Sequence, residues 1–538
     1  MKLRTLCGAV IALQIVASAQ SNVRPGTDVS LSNLGGVASP SGAHSGTFPN
    51  GTQSWGVSTT SCNVGTVHVP WRRDMDIDHP QIGMWIYRDY QGRFEQVSLF
   101  QGVKHGFLST NSPGCGSCPG GAGNLLIIGC SDTYGASLNY SHTYMAPPSE
   151  INPWTGIWES VGSHFDRGFP PVSGSQATDN VRSSINFPST NQGYRNLVLD
   201  SGLNVTGATF WVSGYYNVIG EPDANRENNS RTRQINPTWN AAGNQWSFTT
   251  VGSTQHTGPA IWRWSGATVN SANNNNGDDG RFYVAVKVTG PTNGLYHYEY
   301  AIQNRDNSRE GGAFRIPICT GTTVSNLWFG DPDEIANNDW TASVLTNEIV
   351  FTAQAGNNLT WGNMFNVAFD SNASPTTANF SIDQALPGAG NASVAVAVPC
   401  PLDLRNLYLG AGCGSPTPPV LDANGPALLG TSNFTLSSAG VANGSTNYFV
   451  FSLATAAIPL GGGCTLWADP NAVFFGDDAI GDPSGVASLV VPIPADPALD
   501  GAFLAVQAVE FQNPGAFGSL DFSSGLKVKL GTANPSCN

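Results

Sequence analysis

The sequence predicts a mostly β, multidomain chain in which antiparallel β-sandwich modules follow an irregular, disulfide-bearing N-terminal region. Three observations predict it. Charged residues make up 11% of the chain, against about 25% in an average soluble protein. Lysine occurs only at Lys2, Lys104, Lys287, Lys527 and Lys529, so helices supported by exposed Glu–Lys pairs are nearly excluded. The 63 glycines and 35 prolines punctuate short runs rich in Val, Phe, Tyr and Trp, the pattern of short strands joined by turns.

The N-terminus carries an export pattern. Lys2 and Arg4 form a positive n-region, Leu6 to Val16 an apolar core, and Ala17-Ser18-Ala19 a small-x-small cleavage site. Residues 1–19 therefore read as a signal peptide cleaved before Gln20, taking Cys7 with it. The apolar run is shorter than the ~20 residues a spanning helix needs, and no later run is long enough. The mature chain is expected to be secreted or held at the cell surface.

Residues 20–54, rich in Ser, Gly, Asn and Pro, read as a linker. Residues 55–200 form the irregular region, with Cys62, Cys115, Cys118 and Cys130 and the histidines His68, His79, His105, His142 and His164. From 201 to 400 the strand signals are clean. Ala208 to Val218 is aromatic and β-branched. Phe282, Val284, Val286 and Val288 alternate with Tyr283, Ala285, Lys287 and Thr289, the turn Pro291-Thr292-Asn293-Gly294 follows, and Leu295 to Ile302 returns with His297 and Glu299 on the polar face. That is a hairpin signal. Glu348–Ala353, Met364–Phe369 and Ser393–Val398 are further strand candidates. Residues 401–538 open with the Gly/Pro-rich 409–419 stretch and supply another sandwich through Tyr448–Leu453, Ala487–Ile493, Phe503–Phe511 and Leu526–Leu530.

Two sets of residues carry a family resemblance. Gly410-Ala411-Gly412-Cys413, Gly461-Gly462-Gly463-Cys464-Thr465-Leu466 and Val491-Pro492-Ile493-Pro494 resemble a C-terminal module of large secreted multidomain proteins of planctomycete-type bacteria. Lys104-His105-Gly106-Phe107, Gly129-Cys130-Ser131-Asp132 and Ser149-Glu150-Ile151-Asn152 are similar to another secreted family of that kind. The resemblance implies export and β modules. It brings no activity and no catalytic residues.

Nine cysteines remain after signal removal, an odd number, and in an exported chain they read first as disulfides. Cys413 and Cys464 are expected to bond, and Cys62, Cys115, Cys118 and Cys130 to form two bridges among themselves. Cys537, next to the last residue, is the candidate for the leftover thiol. Cys115-Gly116-Ser117-Cys118 has the spacing of a redox dithiol, but its flanks are loop residues and no βαβ pattern surrounds it. A zinc site there lacks a second close Cys or His pair.

The candidate chemistry is a metal or acid–base site built from His79, His105 and Asp132, with Asp74, Asp76, Asp78, His164 and Asp166 in the same region. No two of these histidines have i, i+4 or H-x-H spacing, so the fold would have to gather them. Nucleophile-elbow and phosphate-loop motifs are absent. Asn273–Gly280, the group Asp331, Asp333, Glu334 and Asp339, and the group Asp477, Asp478 and Asp482 are oxygen-rich turns of the kind that can take calcium, though none matches an EF-hand. The cofactor expectation is thus a divalent metal or calcium. Ile261-Trp262-Arg263-Trp264 and Tyr296-His297-Tyr298-Glu299-Tyr300 could stack sugars or fill a core.

Net charge is −14, which repels a phosphate backbone and argues against nucleic acid. The reading is an exported extracellular or cell-surface binding or scaffold protein, with polysaccharide or cell-envelope components as partners. The alternative is a secreted enzyme with its site around His79, His105 and Asp132.

Overall fold

The computed structural model describes residues 23–72, 77–158, 163–166, 192–274, 280–292, 294–354, 356–512 and 514–531. The export segment, Gln20, Asp74, Asp76, most of the Asn273–Gly280 loop and Cys537 lie outside them. Among the described residues no helix is long and apolar enough to cross a membrane, a statement that leaves β-barrels untouched.

The N-terminal module is built from β1 (Val29–Ala38), β2 (Gly56–Asn63), β3 (Gln81–Tyr90), β4 (Arg93–Gln96), β5 (Ser131–Tyr134), β6 (Thr209–Asn217), β7 (Ser230–Asn240) and β8 (Gln245–Thr257). One sheet has the order β1-β2-β5. A seven-stranded sheet runs Met145–Ala146, Val103–Lys104, β3, β6, β7, β8, with β4 paired to β3. The stretch expected as a linker, 20–54, thus contains β1, whose Val29 and Leu31 enter the core beside Val57, Ile82, Met84 and Val212. The boundary expected at 200 is crossed by the antiparallel register Trp211↔Tyr87 to Asn217↔Gln81. Local turn signals do not mark this pairing because β3 and β6 are separated by more than a hundred residues.

The second module is a sandwich of two five-stranded sheets. Its strands are β9 (Thr268–Asn273), β10 (Arg281–Thr292), β11 (Leu295–Asn304), β12 (Gly311–Pro317), β13 (Val324–Gly330), β14 (Thr341–Val344), β15 (Glu348–Thr352), β16 (Met364–Ser371), β17 (Ser374–Gln384) and β18 (Ser393–Asp403). The sheet orders are β9-β10-β11-β16-β13 and β14-β15-β12-β17-β18. Phe282, Val284 and Val286 of β10 and Tyr298, Tyr300 and Ile302 of β11 meet Phe314, Phe351, Phe380 and Val396 across the core.

Alternation puts Tyr283 and Ala285 on the opposite face, and that face is buried too. It packs with Ala301 and Met364 against Trp85, Tyr87, Phe94 and Phe100 of the N-terminal module. β3 therefore buries both its faces, Ile82, Met84 and Ile86 one way and Trp85 and Tyr87 the other. Each large side chain so buried is worth about 1.5–3 kcal/mol of transfer free energy. Gln96 ties the layers further: its carboxamide donates to Asn363 Oδ1 at 3.1 Å and accepts from the Met364 amide at 3.0 Å. Gly362, at φ +76°, lies where any Cβ would stand 2.7 Å from both Trp85 and Phe100, so the close approach of the modules requires glycine there.

The C-terminal module holds β19 (Asn406–Gly410), β20 (Thr446–Ser452), β21 (Val473–Ile480), β22 (Phe503–Phe511) and β23 (Gly525–Gly531). They are ordered β19-β23-β22-β20-β21. A three-stranded sheet of Val420–Ala423, Thr435–Ala439 and Val486–Val490 covers one face. Leu421 and Leu436 meet Phe449, Phe451, Val506 and Val528 between them.

Disulfides join Cys62 to Cys115, Cys118 to Cys130 and Cys413 to Cys464. Cys319 is disulfide-bonded as well. Among the described residues the free thiol is Cys400, buried in the sandwich core, where burial pushes its pKa up to about 12. The two cysteines of the CxxC sequence thus belong to different bridges, so they do not form a dithiol couple.

Candidate functional site

Of the residues predicted to carry chemistry, the fold brings His79 and His105 together. His79 Nε2 and His105 Nδ1 lie 2.9 Å apart, sharing one proton, and both residues are 0% exposed. Trp158 stacks on His79, and Trp158 and Phe165 present ring edges or faces to His105. Burial, then the charge of Lys104, pushes the His105 pKa down to about 3, so its imidazole is neutral at physiological pH.

Asp132 is engaged elsewhere. It accepts from Trp71 Nε1 at 2.8 Å, from the Thr110 amide at 2.9 Å and from the Thr110 hydroxyl at 3.0 Å. A carboxylate with three donors is a structural pin. Among the described residues no three His, Cys, Asp or Glu are grouped to hold a metal ion. The physical reason here is that the facing His79 and His105 nitrogens are spent on one another.

Lys104 belongs to the same interior. Its ammonium donates to the carbonyls of Gly106 (2.8 Å) and His105 (3.3 Å) and lies 3.8 Å from the centre of the Phe107 ring. Burial pushes its pKa down to about 7, against the pull of Asp132. His164 and Asp166 are likewise buried.

The remaining predicted groups resolve into turns and cores. Asp482 accepts from the Ser484 amide and hydroxyl and the Val486 amide, closing an exposed turn. Trp264, Tyr298 and Tyr300 are core residues, while Trp262 is 40% exposed.

An open cleft of about 430 Å³ lies where the N-terminal module meets the sandwich. One wall is the β3–β4 hairpin with Arg88, Tyr90, Arg93 and Glu95. The other is Glu299 of β11, Trp328 of β13 and the loop from Asp331 to Asp339. Arg93 reaches across and grips Glu299 with two hydrogen bonds, 2.9 and 2.5 Å, while its guanidinium lies 3.5 Å above the Trp328 ring. Such bidentate and stacked contacts are specific to arginine. Arg88 donates from Nε and Nη2 to the one oxygen Oε1 of Glu95, at 3.1 and 2.7 Å.

Beyond Glu299, His297 lies between Asp370 (2.6 Å) and Glu299 (3.1 Å). Burial opposes its charge, but hydrogen bonds to the two carboxylates outweigh it and raise the pKa.

In the loop, Asp331 accepts from Asn357 Nδ2 at 2.7 Å and from the Asp333 amide at 3.1 Å. Burial raises its pKa to about 6, and the neighbouring Asp333 adds to the rise. Glu334 has φ +55° and accepts from the Ser201 hydroxyl at 2.7 Å. Sequence reading placed Glu299 on the polar face of its strand and Asp331 to Asp339 in an acidic loop. It missed Arg88 and Arg93, for no local signal links Arg93 to a partner 206 residues away.

No protein-family model matches the chain, and no curated protein sequence does. Among solved structures, BcpA, the major pilin subunit of Bacillus cereus, is 10% identical over 64% of this chain and 92% of its own, with a TM-score of 0.17. A tetra-tandem repeat from the extending region of a large adhesion protein is 10% identical, covering 93% of this chain and 73% of its own, with a TM-score of 0.14. At such scores these overlaps carry no argument.

Proposed function

We propose that the protein is an exported extracellular or cell-surface binding protein, a rigid β scaffold whose ligand site is the cleft between its first two modules. The observation that supports this reading most is a contrast of exposure. His79, His105 and Asp132 are at most 1% exposed and engaged with internal partners, whereas Glu334 on the cleft's acidic loop is exposed and Asp331 and Asp339 are half-buried. A small-molecule or oligosaccharide site typically measures about 300–1,000 Å³, and the cleft falls within that range. Binding and catalytic groups usually sit on loops carried by a rigid frame, and the acidic loop carried by β13 is such a position.

The test is co-sedimentation of the purified mature chain with insoluble cell-envelope polysaccharide, with the supernatant assayed for released sugars. Retention without release is expected. Release of soluble product, abolished by His105→Ala, would instead establish the enzyme reading.

A further inference from the structure

We propose that His297 is a pH-operated clasp at the rim of the module seam: as an imidazolium it ties Asp370 to Glu299, and on losing its proton as pH rises it keeps Asp370 and releases Glu299 to Arg93 alone.

Register brings the groups together. His297 of β11 stands directly opposite Asp370 of β16, and Glu299 follows two residues along on the same face. His297 Nδ1 lies 2.6 Å from Asp370 Oδ1, and Nε2 lies 3.1 Å from Glu299 Oε1. An ionised carboxylate only accepts, so each contact is a hydrogen bond only when the facing nitrogen carries a proton. The imidazolium carries two such protons and the neutral ring one. The shorter contact retains the single proton, which leaves the Nε2 lone pair against Glu299 Oε1, and that contact becomes repulsive.

The neighbours on the other strands are otherwise engaged. From β10, Thr289 is opposite His297 and Lys287 opposite Glu299. The Lys287 ammonium donates to the Ser265 carbonyl at 3.2 Å, and its charge acts on Asp89 of β3. From β13, Asn326 donates to the second oxygen of Asp370 at 2.6 Å and brings no charge. From β4, Arg93 holds both oxygens of Glu299. Two carboxylates thus face two cations while His297 is charged, and one cation once it is neutral. The His297 side chain is 43% exposed, against 8% for Glu299, so solvent protons reach this ring, unlike the enclosed His79–His105 pair. Burial opposes its charge, but the hydrogen bonds to Asp370 and Glu299 outweigh that and favour the imidazolium. Glu299 and Arg93 line the cleft, so the clasp sets how firmly that wall is held.

The experiment is nitrogen-15 NMR of the full mature chain labelled at histidine, titrated from about pH 5.5 to about pH 9.5, with His297 assigned by its loss in His297→Gln. The His297 midpoint should lie above the ordinary value of about 6.5. Above that midpoint the ring should be the Nδ1–H tautomer, the reverse of the Nε2–H form that free histidine favours. Glu299→Gln should lower the midpoint by about 0.5 or more, and Arg93→Gln, which leaves Glu299 to His297 alone, should raise it. A raised folded-state value gives stability that is full below the unfolded value and lost as pH rises through the folded one. The urea midpoint of the parent should therefore exceed that of His297→Gln at about pH 6, with the gap closing by about pH 9. A His297 midpoint at or below 6.5, an Nε2–H neutral ring, or a gap constant with pH would overturn the clasp.

Discussion

Asp306→Asn tests whether the first two modules are welded into one body. Asp306 is fully buried, accepts from Arg226 Nη1 at 2.9 Å, and pairs with Arg305 Nη2 at 3.0 Å. It also accepts from the Arg281 amide at 2.9 Å and the Tyr215 hydroxyl at 3.3 Å. Arg226 belongs to the N-terminal module, Arg305 and Asp306 to the sandwich. Breaking a buried pair by removing one partner costs about 3–5 kcal/mol, because the other charge is left uncompensated. Arg305 keeps Asp223 as a partner, and Arg226 keeps the carbonyls of Glu221 and Trp154. The loss therefore belongs near the lower end, about 3 kcal/mol. Urea denaturation followed by tryptophan fluorescence reads it, with the transition of the joined modules moving to lower urea. A variant within about 1 kcal/mol of the parent, the size of one ordinary hydrogen bond, would refute the weld.

Three further outcomes follow from buried groups and bridges. Burial raises Glu221 to about 8, against hydrogen bonds from Asn229 and the Val29 amide. A raised folded-state pKa gives stability that is full below the unfolded value near 4.5 and lost as pH rises towards 8, so Glu221→Gln should flatten the fall in unfolding free energy over that window. Unchanged slopes in parallel denaturation series at pH 5, 6.5 and 8 would count against it. Replacing Cys413 and Cys464 by serine opens a loop with sequence separation 51 and should cost the C-terminal module about 4 kcal/mol in calorimetry. His105→Ala should destabilise the N-terminal module by about 1–3 kcal/mol through loss of its buried hydrogen bond to His79, with elemental analysis showing the same metal content as the parent.

The hairpin strands of the sandwich were legible because they carry a period-2 signal and a turn between them, whereas Thr268–Asn273, Gly311–Pro317, Val324–Gly330, Thr341–Val344 and Ser374–Gln384 went unread. The hairpin of β10 and β11 occurs where Phe282 to Ile302 predicts it, with register Val284↔Ile302 and Val286↔Tyr300. The N-terminal module was not legible in this way. Its central strand Gln81–Tyr90 has both faces buried, so apolar residues run on without alternation, and its partner Thr209–Asn217 is distant in sequence. The candidate site divides along the same line. Histidine and aspartate counts pointed to His79, His105 and Asp132, and packing has drawn them into the interior, where hydrogen bonds to Trp71, Thr110 and one another use them up. The cleft needed three segments brought together by the module interface, Arg88 to Glu95, Glu299, and Trp328 to Asp339. A composition poor in cations gives no hint of where its few arginines meet carboxylates.

Export is read most directly from the location and N-terminus of the protein in its own host. Cells would be fractionated into medium, envelope and cytoplasm, and the protein from each fraction analysed by N-terminal mass spectrometry. Protein is expected in the medium or envelope, beginning at or close to Gln20, with the disulfides Cys62–Cys115, Cys118–Cys130 and Cys413–Cys464 intact in non-reducing peptide maps. Cytoplasmic protein retaining Met1, with those cysteines reduced, would contradict it.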